Sequence, residues 1–286
     1  MIERYQLRYF LAVVDAGNFT RAAARACVSQ PTLSIGIAKL EEALGEPLFI
    51  RNSKRVHLTP AGARLLAHAR AIDAEFNALE RRGSAARAET IRCGVLTSIP
   101  SPLLERVLRA FRREDDQTLL EFVEGSERDL QSRLRRGRVD LALTILRRGE
   151  DRFTNEALFQ EGYALALPAW HRFAREEVIR AEDLVDEVMI VRRHCEALSE
   201  ISRHFTDRGV RPQFGLRSTN DERVLSLVAA GLGLTVMPAS YLHGGVARPK
   251  LAGFDLRREV GILYADHARD LCEQGAPIVT ALRLLR

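Results

Sequence analysis

A helix face with hydroxyl and basic side chains is predicted between Ser29 and Leu44, and such a face suits the major groove of DNA. The apolar residues recur at spacings of four, three and four, at Leu33, Ile37, Leu40 and Leu44. This spacing places them on one side of a helix. The other side then carries Thr32, Ser34, Ile35 and Lys39. The Ser29 hydroxyl can cap this helix, and Pro31 fits its first turn. An ordinary amphipathic surface helix is the alternative interpretation.

A second candidate for chemistry is Cys195, which follows Arg193 and His194 at the predicted start of another helix. A helix N-terminus and neighbouring cations lower the pKa of a thiol, and the thiolate is the form that reacts with oxidants. Cys195 is therefore a candidate for a sulfenic acid switch, or else part of a pocket wall. The spacing of His194, Cys195 and His204 lacks a strong precedent among metal sites, so we predict no metal.

Polar side chains at predicted strand ends form a candidate site for a small anionic ligand. Thr97 and Ser98 follow one strand and precede a helix, and Ser126 begins the next helix. Hydroxyls and free backbone N–H groups at such positions can bind an anion, although helix capping is an equal alternative. Later strand ends and helix starts carry Arg193, His194, Cys195 and Asn220. Of these, Arg193 suits a carboxylate ligand.

The helix with the polar face needs supporting elements, and the flanking sequence predicts them. A short alanine-rich helix with Thr20 as its cap precedes the Ser29 helix, and two short helices joined by a tight turn form a helix-turn-helix. Phe49–Arg51 and Val56–Leu58 predict two short strands around a polar turn, which is the pattern of a wing. Its cations, which would contact phosphates, are Arg51, Lys54 and Arg55.

A long helix is predicted from Pro60, because Thr59 suits its cap and the proline suits its first turn. Its apolar residues alternate at spacings of four and three, at Leu65, Ala69, Ile72, Phe76 and Leu79. This is the pattern of a coiled-coil seam, so we interpret the segment as a dimerisation helix. Packing of this helix on its own N-terminal domain is the alternative.

From Thr90 onward, predicted strands and helices alternate, which implies β-α-β units and a parallel sheet. A second set begins at Tyr163, and Arg257–Tyr264 predicts a returning strand. Two consecutive α/β lobes leave a cleft in which small ligands bind. The predicted domains are 1–59 for the winged helix-turn-helix, 60–88 for the linker helix and 89–286 for ligand binding, with lobe one at 89–162 plus 267–286 and lobe two at 163–266.

The composition indicates the class of protein. The chain has 286 residues, 46% apolar and 28% charged, with a net charge of +5, which is typical of a globular protein of two domains. Residues 1–60 hold eight basic and five acidic side chains, so most of the positive excess lies there. The four cysteines lie far apart without a C-x-x-C pair, and no apolar run is long enough to span a membrane. We therefore expect a cytoplasmic protein.

The sequence lacks the motifs of common enzyme classes. It has no G-x-S-x-G, no H-E-x-x-H and no P-loop, and Gly231-Leu232-Gly233 is too short for a dinucleotide-binding fingerprint. We therefore expect a ligand sensor and not an enzyme. A DNA-bound structural protein without a ligand is a third class, and the large α/β region argues against it.

Two segments resemble a known family. S-Q-P-T-L-S-x-x-I-x-x-L-E-E-x-L-G-x-P-L-F-x-R at 29–51, followed by L-T-P-A-G at 58–62, is similar to the N-terminal signature of LysR-type transcriptional regulators. V-A-A-G-L-G-L-T-V-M-P at 228–238 resembles the C-terminal lobe of the same family.

The resemblance implies an α/β fold with an N-terminal all-α winged helix-turn-helix, a long linker helix and a C-terminal, two-lobed, periplasmic-binding-protein-like effector domain. It also implies a homodimer, or a homotetramer built as a dimer of dimers. Such a protein would bind double-stranded promoter DNA, act on RNA polymerase and respond to a small-molecule effector.

The family's recognition-helix positions correspond to Gln30, Pro31, Thr32, Ser34 and Lys39, and its wing arginine corresponds to Arg51. The sequence departs from the family at Ile35-Gly36, where a polar residue followed by glutamine is common. Ile35 can contact thymine methyl groups but cannot read guanine. We therefore expect DNA shape and A·T content to matter at that step.

Peroxide sensors of the OxyR type, which belong to this family, carry a similar His-Cys pair near the position of Cys195. Here Phe205-Thr206 occupies the region where those sensors keep a resolving cysteine. A thiol-based regulator that switches through Cys195 is therefore the alternative to one controlled by a small metabolite such as a carboxylate. Neither hypothesis requires a further cofactor.

Overall fold

The computed structural model describes residues 1–51, 56–82, 90–115, 117–147, 149 and 152–286. By their internal contacts they form two compact units, Met1–Arg87 with Ser132–Arg138 and Ala88–Gln131 with Val139–Arg286. The prediction for Lys54 and Arg55 lies outside the described residues, as does the side chain of Arg51.

Among the described residues, the first unit contains four complete helices and a two-stranded sheet. The helices are α1 (Arg4–Ala16), α2 (Phe19–Arg25), α3 (Gln30–Leu44) and α4 (Pro60–Arg82). Strands β1 (Phe49–Arg51) and β2 (Val56–Leu58) pair antiparallel, as a wing requires. Apolar side chains of α1, α2, α3 and β1 form the core, among them Phe10, Ala22, Leu33, Ile37, Leu40 and Phe49.

Side-chain caps set the starts of these helices. The Ser29 hydroxyl accepts a hydrogen bond from the backbone N–H of Thr32, so the predicted cap of α3 is confirmed. The Thr59 hydroxyl likewise accepts from the N–H of Gly62 at the start of α4. The predicted Thr20 cap is wrong. Asn18 Oδ1 accepts from the N–H groups of Thr20 and Arg21 because α2 begins one residue before Thr20.

The second unit contains eleven strands and six α-helices within the described residues. Its strands are β3 (Thr90–Leu96), β4 (Leu119–Gly125), β5 (Leu141–Ile145), β6 (Thr154–Pro168), β7 (Val178–Ile179), β8 (Val188–Arg192), β9 (Gln213–Ser218), β10 (Thr235–Pro238), β11 (Val246–Ala247), β12 (Lys250–Leu251) and β13 (Arg257–Tyr264). Its helices are α5 (Ser101–Glu114), α6 (Glu127–Arg135), α7 (Leu198–Asp207), α8 (Asp221–Ala229), α9 (Arg269–Glu273) and α10 (Pro277–Arg283).

The main sheet has the order β10-β6-β13-β5-β3-β4, with β11 also paired to β6. Strands β3, β4 and β5 are parallel, but β6 and β13 run antiparallel to their neighbours, so the expectation of a parallel sheet is only partly correct. The difference arises because the returning strand β13 lies between β5 and β6 and runs antiparallel to both. Strand β6 has 15 residues and extends about 50 Å. The predicted returning strand Arg257–Tyr264 is β13 and pairs with β6 along its length.

Two groups of elements flank the long strands. We call lobe one the group around β3, β4 and β5, and lobe two the group around β8, β9 and β10. Lobe two has one apolar cluster against α7, which includes Met189, Phe205 and Val236, and another against α8, which includes Ile190, Val224 and Met237. The strand ends of lobe one and the turn that precedes α7 position the polar groups described next.

Candidate functional site

Helix α3 presents the predicted polar face to solvent. Leu33, Ile37 and Leu40 are fully buried, whereas Ile35 is 58% exposed. Gln30, Pro31, Thr32 and Lys39 are also exposed, and Ser34 is half-buried. Gln30 Nε2 donates to Ser34 Oγ at 3.1 Å. The residues predicted to contact DNA from this helix therefore share one accessible face, with Ser34 at its edge.

Gly36 has a structural explanation on the opposite face of the same helix. A Cβ atom at this position would lie 2.5 Å from Tyr9 Cδ2 on α1. The departure from the family pattern at Ile35-Gly36 thus combines an exposed apolar side chain with a close approach between two helices.

The predicted seam of helix α4 divides into two parts. Ala69 is fully buried and Leu65 packs beside it in the core of the first unit. Ile72, Phe76 and Leu79 are exposed by 40%, 39% and 62%. The Arg4 guanidinium lies 4.6 Å above the Phe76 ring. The alternative of packing on the N-terminal domain therefore holds for the first part, and the second part leaves an apolar stripe accessible.

In the second unit, the buried guanidinium of Arg258 joins groups from both lobes. Its Nε and Nη2 donate to Glu161 Oε1 at 2.9 and 2.7 Å, within the β6–β13 pair. Its Nη1 donates to Ser98 Oγ at 2.8 Å and to Glu196 Oε1 at 2.6 Å. Ser98 follows β3 of lobe one, and Glu196 lies in the turn before α7 of lobe two. We call Arg258, Glu161, Ser98, Glu196 and Tyr163 the Arg258 network.

Glu196 is the incompletely satisfied member of the Arg258 network. Its Oε1 also accepts from the Tyr163 hydroxyl at 2.7 Å, but its buried Oε2 has no hydrogen-bond partner among the described residues. Burial raises the pKa of this carboxyl, yet the Arg258 charge and the Tyr163 hydrogen bond leave it below its ordinary value. Burial also raises the pKa of Tyr163, so its hydroxyl remains a donor.

The other predicted residues of lobe one lie at neighbouring strand ends. The backbone N–H of Thr97 donates to the Gly125 carbonyl at 3.1 Å, which joins the ends of β3 and β4. The Thr97 hydroxyl is buried and has no partner in the described part of the chain. Ser126 Oγ accepts from the N–H of Asp129 at 3.3 Å, so it caps α6. Thr97, Ser98 and Ser126 are thus brought to one edge of the sheet.

The predicted residues of lobe two are less closely grouped. Arg193 and His194 are exposed, and the Asn220 side chain caps α8 by accepting from the N–H of Arg223 at 2.8 Å. Cys195 is buried at 8% exposure. Their roles in effector binding remain predictions.

The buried arginine of this region is Arg192, which pairs with Asp221 at the start of α8. Its Nε donates to Asp221 Oδ1 at 2.8 Å and its Nη2 donates to Oδ2. Its Nη1 donates to the Val236 carbonyl at 3.2 Å and to Cys195 Sγ at 3.4 Å. Burial nevertheless raises the pKa of the Cys195 thiol, against the opposing effect of the Arg192 charge.

The charged residues that form these contacts were not among the predicted site residues; they are Glu161, Arg192, Glu196, Asp221 and Arg258. One signal for them exists in the sequence. Glu161 and Arg258 each lie close to the apolar run of a long strand, residues 164–167 in β6 and 260–263 in β13, and a buried charge requires a partner. Their pairing could have been expected once β6 and β13 were recognised as neighbours.

Two protein-family models match this chain. The bacterial regulatory helix-turn-helix model of the lysR family matches residues 5–63, and the LysR substrate binding domain matches residues 84–271. The second match alone covers more than half of the 286 residues. The chain belongs to the LysR family.

Known LysR-family proteins are similar over most of their length. The Hca operon transcriptional activator HcaR of Escherichia coli is 34% identical over 260 residues, which are 88% of either chain. The regulator BenM of Acinetobacter baylyi is 30% identical over 252 residues, covering 84% of this chain and 81% of BenM. A hydrogen peroxide-inducible genes activator of Pectobacterium carotovorum is 30% identical over 238 residues, covering 82% of this chain and 78% of that protein.

Solved structures agree with the family assignment. Full-length BenM has a TM-score of 0.54 and 26% identity, with 99% of this chain and 96% of BenM covered. A full-length OxyR variant of Pseudomonas aeruginosa has a TM-score of 0.60 and 25% identity, with 99% and 95% covered. The predicted fold class is confirmed, with an N-terminal helix-turn-helix, a linker helix and a periplasmic-binding-protein-like effector domain.

As a LysR-type protein, the chain is a DNA-binding transcriptional regulator with an effector-binding domain, and it is not an enzyme. Within the described residues, no helix has the combination of length and apolar character needed to cross a membrane. No group of three or more histidine, cysteine, aspartate or glutamate side chains in that part of the chain is arranged to hold a metal ion.

Proposed function

We propose that a small carboxylate controls this LysR-type regulator by binding between the lobes of its effector domain, at the Arg258 network. The observation that carries this proposal is the single buried guanidinium that contacts Ser98 of lobe one and Glu196 of lobe two. A ligand that alters these two contacts changes how the two lobes are held together.

The chemistry of the network favours a carboxylate. Glu196 Oε1 accepts hydrogen bonds from Arg258 and Tyr163, and an effector carboxylate can accept the same two bonds in its place. The Thr97 hydroxyl, which has no partner among the residues that the structure describes and is adjacent to Ser98, offers a further donor. Displacement of Glu196 would free the turn before α7. The effector shifts the equilibrium between the two arrangements only by its difference in affinity for them.

A thermal-shift screen of small carboxylates on the full-length protein tests this proposal. A compound present at 100 times its Kd adds about 2.7 kcal/mol to the free energy of unfolding. We expect Tyr163→Phe to lose most of the shift, because it removes one donor to the carboxylate. Tyr264→Phe is the matched control, since its hydroxyl donates to Glu156 instead. An unchanged shift in Tyr163→Phe, or the failure of every carboxylate to stabilise the wild type, contradicts the proposal.

We also propose that the exposed face of α3 reads the DNA site through Gln30, Pro31, Thr32, Ser34, Ile35 and Lys39, with Arg51, Lys54 and Arg55 of the wing on phosphates. The exposure of the α3 face supports this assignment. Ser34→Ala should reduce discrimination between operator variants, since one base contact contributes about 1–3 kcal/mol. Arg51→Ala should weaken binding to all sequences and flatten its salt dependence. Intact discrimination in Ser34→Ala would contradict the assignment of the recognition helix.

The exposed stripe of α4 supports a homodimer as a further part of the proposal. Ile72, Phe76 and Leu79 continue the seam beyond the part that packs in the first unit. Leu79→Asp should therefore lower the molar mass measured by light scattering toward that of a single chain. A mass unchanged from the wild type would argue against α4 as the dimer contact. A tetramer and contact with RNA polymerase remain predictions from the family.

A thiol switch at Cys195 is the second candidate, favoured by the hydrogen bond from Arg192 Nη1 to its sulfur. Burial of the thiol and its raised pKa oppose this candidate. The experiment treats the reduced protein with low peroxide, traps sulfenic acid and locates the adduct by mass spectrometry. Regulation by a carboxylate predicts no selective labelling of Cys195. Selective labelling there, with Cys27, Cys93 and Cys272 spared, would instead establish an oxidant-responsive regulator.

A further inference from the structure

Lobe two contains a cavity of about 920 Å³ between helix α7 and strands β8 and β9. Apolar side chains make up much of its wall, and they include Met189, Ile201, Phe205, Val210, Phe214 and Val236. Ile201 is only half-buried, and Phe214 is 50% exposed. Apolar surface is thus left for an occupant to cover, and the volume lies in the range of small-molecule sites.

Four charged side chains line this cavity, and they differ in how they are neutralised. Arg192 is paired with Asp221, and Glu196 with Arg258. Arg211 and Arg217 are exposed and have no ion pair with any residue that the structure describes. The Arg217 guanidinium lies 5.0 Å from the centre of the Phe214 ring, directly beside the apolar wall. The uncompensated charge at this cavity is therefore positive.

We propose that this cavity is a second ligand site, which binds a carboxylic acid with a hydrocarbon body. The hydrocarbon would cover Ile201 and Phe214, and the carboxylate would pair with Arg211 and Arg217. The proposed carboxylate position at Arg211 and Arg217 is distinct from the Arg258 network, which offers hydrogen bonds to a polar ligand. The two sites share Glu196, which lines the cavity and also holds Arg258. An acid bound in lobe two therefore lies beside the turn that carries Glu196.

The probes for this site are the straight-chain carboxylates from butanoate to decanoate, titrated calorimetrically into the full-length protein. The apolar wall predicts that affinity rises about fourfold for each added methylene group. The alcohol of the same chain length is the probe without the charge, and we expect it to bind at least tenfold more weakly. An affinity that does not depend on chain length, or an alcohol that binds as tightly as its acid, would overturn the proposal.

Variants then locate the bound acid. The double change Arg211→Gln and Arg217→Gln should weaken octanoate binding at least tenfold and leave octanol binding unchanged. Arg203→Gln, on exposed α7 surface away from the cavity wall, is the matched control and should bind octanoate like the wild type. Ile201→Trp should fill the cavity and block both probes. If Ile201→Trp does not fold, the double arginine variant still tests the site, because both of its changes lie on exposed side chains.

The same titrations separate this site from the Arg258 network. Octanoate should bind Tyr163→Phe with wild-type affinity, because Tyr163 is not part of the cavity wall. If Tyr163→Phe abolishes octanoate binding while the double arginine variant retains it, the acid binds at the Arg258 network and the second site does not exist. If no carboxylate binds at the Arg258 network, the proposed function fails. The dependence of affinity on chain length would still test the lobe-two site.

Discussion

Replacing Asp221 with alanine should destabilise the effector domain by about 3–5 kcal/mol, because it leaves a buried guanidinium without its partner. The Arg192 side chain is 1% exposed and that of Asp221 is 7% exposed. Asp221→Ala removes both acceptors of the bidentate pair and the carboxylate that accepts from the Tyr241 hydroxyl at 3.3 Å. The hydrogen bonds from Arg192 to Val236 and Cys195 remain, but they do not compensate its charge.

Scanning calorimetry of the full-length protein measures this effect on the transition of the effector domain. For a domain of about 200 residues, 1 kcal/mol corresponds to about 2–4 °C in Tm, so we expect a decrease of about 6–20 °C. Glu105→Ala is the matched control, since Glu105 forms an exposed ion pair with Arg109 at 3.4 Å. Exposed helix pairs of this kind contribute about 0.3–0.5 kcal/mol.

A double variant separates the cost of an unpaired charge from the loss of a contact. Arg192→Leu combined with Asp221→Leu removes both charges, so it should be less destabilising than Asp221→Ala alone. A decrease of less than 2 °C in Asp221→Ala, or a double variant that is worse than the single one, would refute the reasoning from buried charge.

Three further predictions concern the helix packing, the lobe contacts and the caps. Gly36→Ala should destabilise the first unit by about 1–3 kcal/mol, because the new methyl group would lie 2.5 Å from an atom of the Tyr9 ring. Gly244→Ala adds a methyl group in open space and should be neutral in the same thermal melts. Glu196→Gln should lower Tm at neutral pH relative to the wild type. This difference in Tm should shrink as pH falls through and below 4.5, because a carboxyl with a lowered pKa stabilises the fold only while it is ionised. A difference in Tm that does not depend on pH would contradict this prediction. Asn18→Ala should lower the free energy of unfolding by about 1 kcal/mol, because it removes the cap of α2, whereas Thr20→Ala should have little effect. A larger loss of stability in Thr20→Ala than in Asn18→Ala would instead identify Thr20 as the cap.

The sequence predicted the first unit well because its local signals agree. The spacing of Leu33, Ile37 and Leu40, the Ser29 cap and the short wing strands all depend on residues within a few positions of one another. The second unit was harder to predict because β6 and β13 pair across about 100 residues. Nothing near Thr154 indicates that this strand continues through to Pro168 and pairs antiparallel with both β10 and β13.

Local sequence signals favour Arg193 as the ligand-binding arginine, whereas the structure buries its neighbour Arg192. Strand β8 ends at Arg192, directly before Arg193, and side chains on a strand alternate between its faces. Ile190 and Arg192 therefore share a face, and each is 2% exposed. A charge in that position is tolerated only because Asp221 arrives from 29 residues away. The same holds for Arg258 with Glu161 and Glu196, so the buried charges of this domain are determined by tertiary pairing that spacing along the chain does not encode.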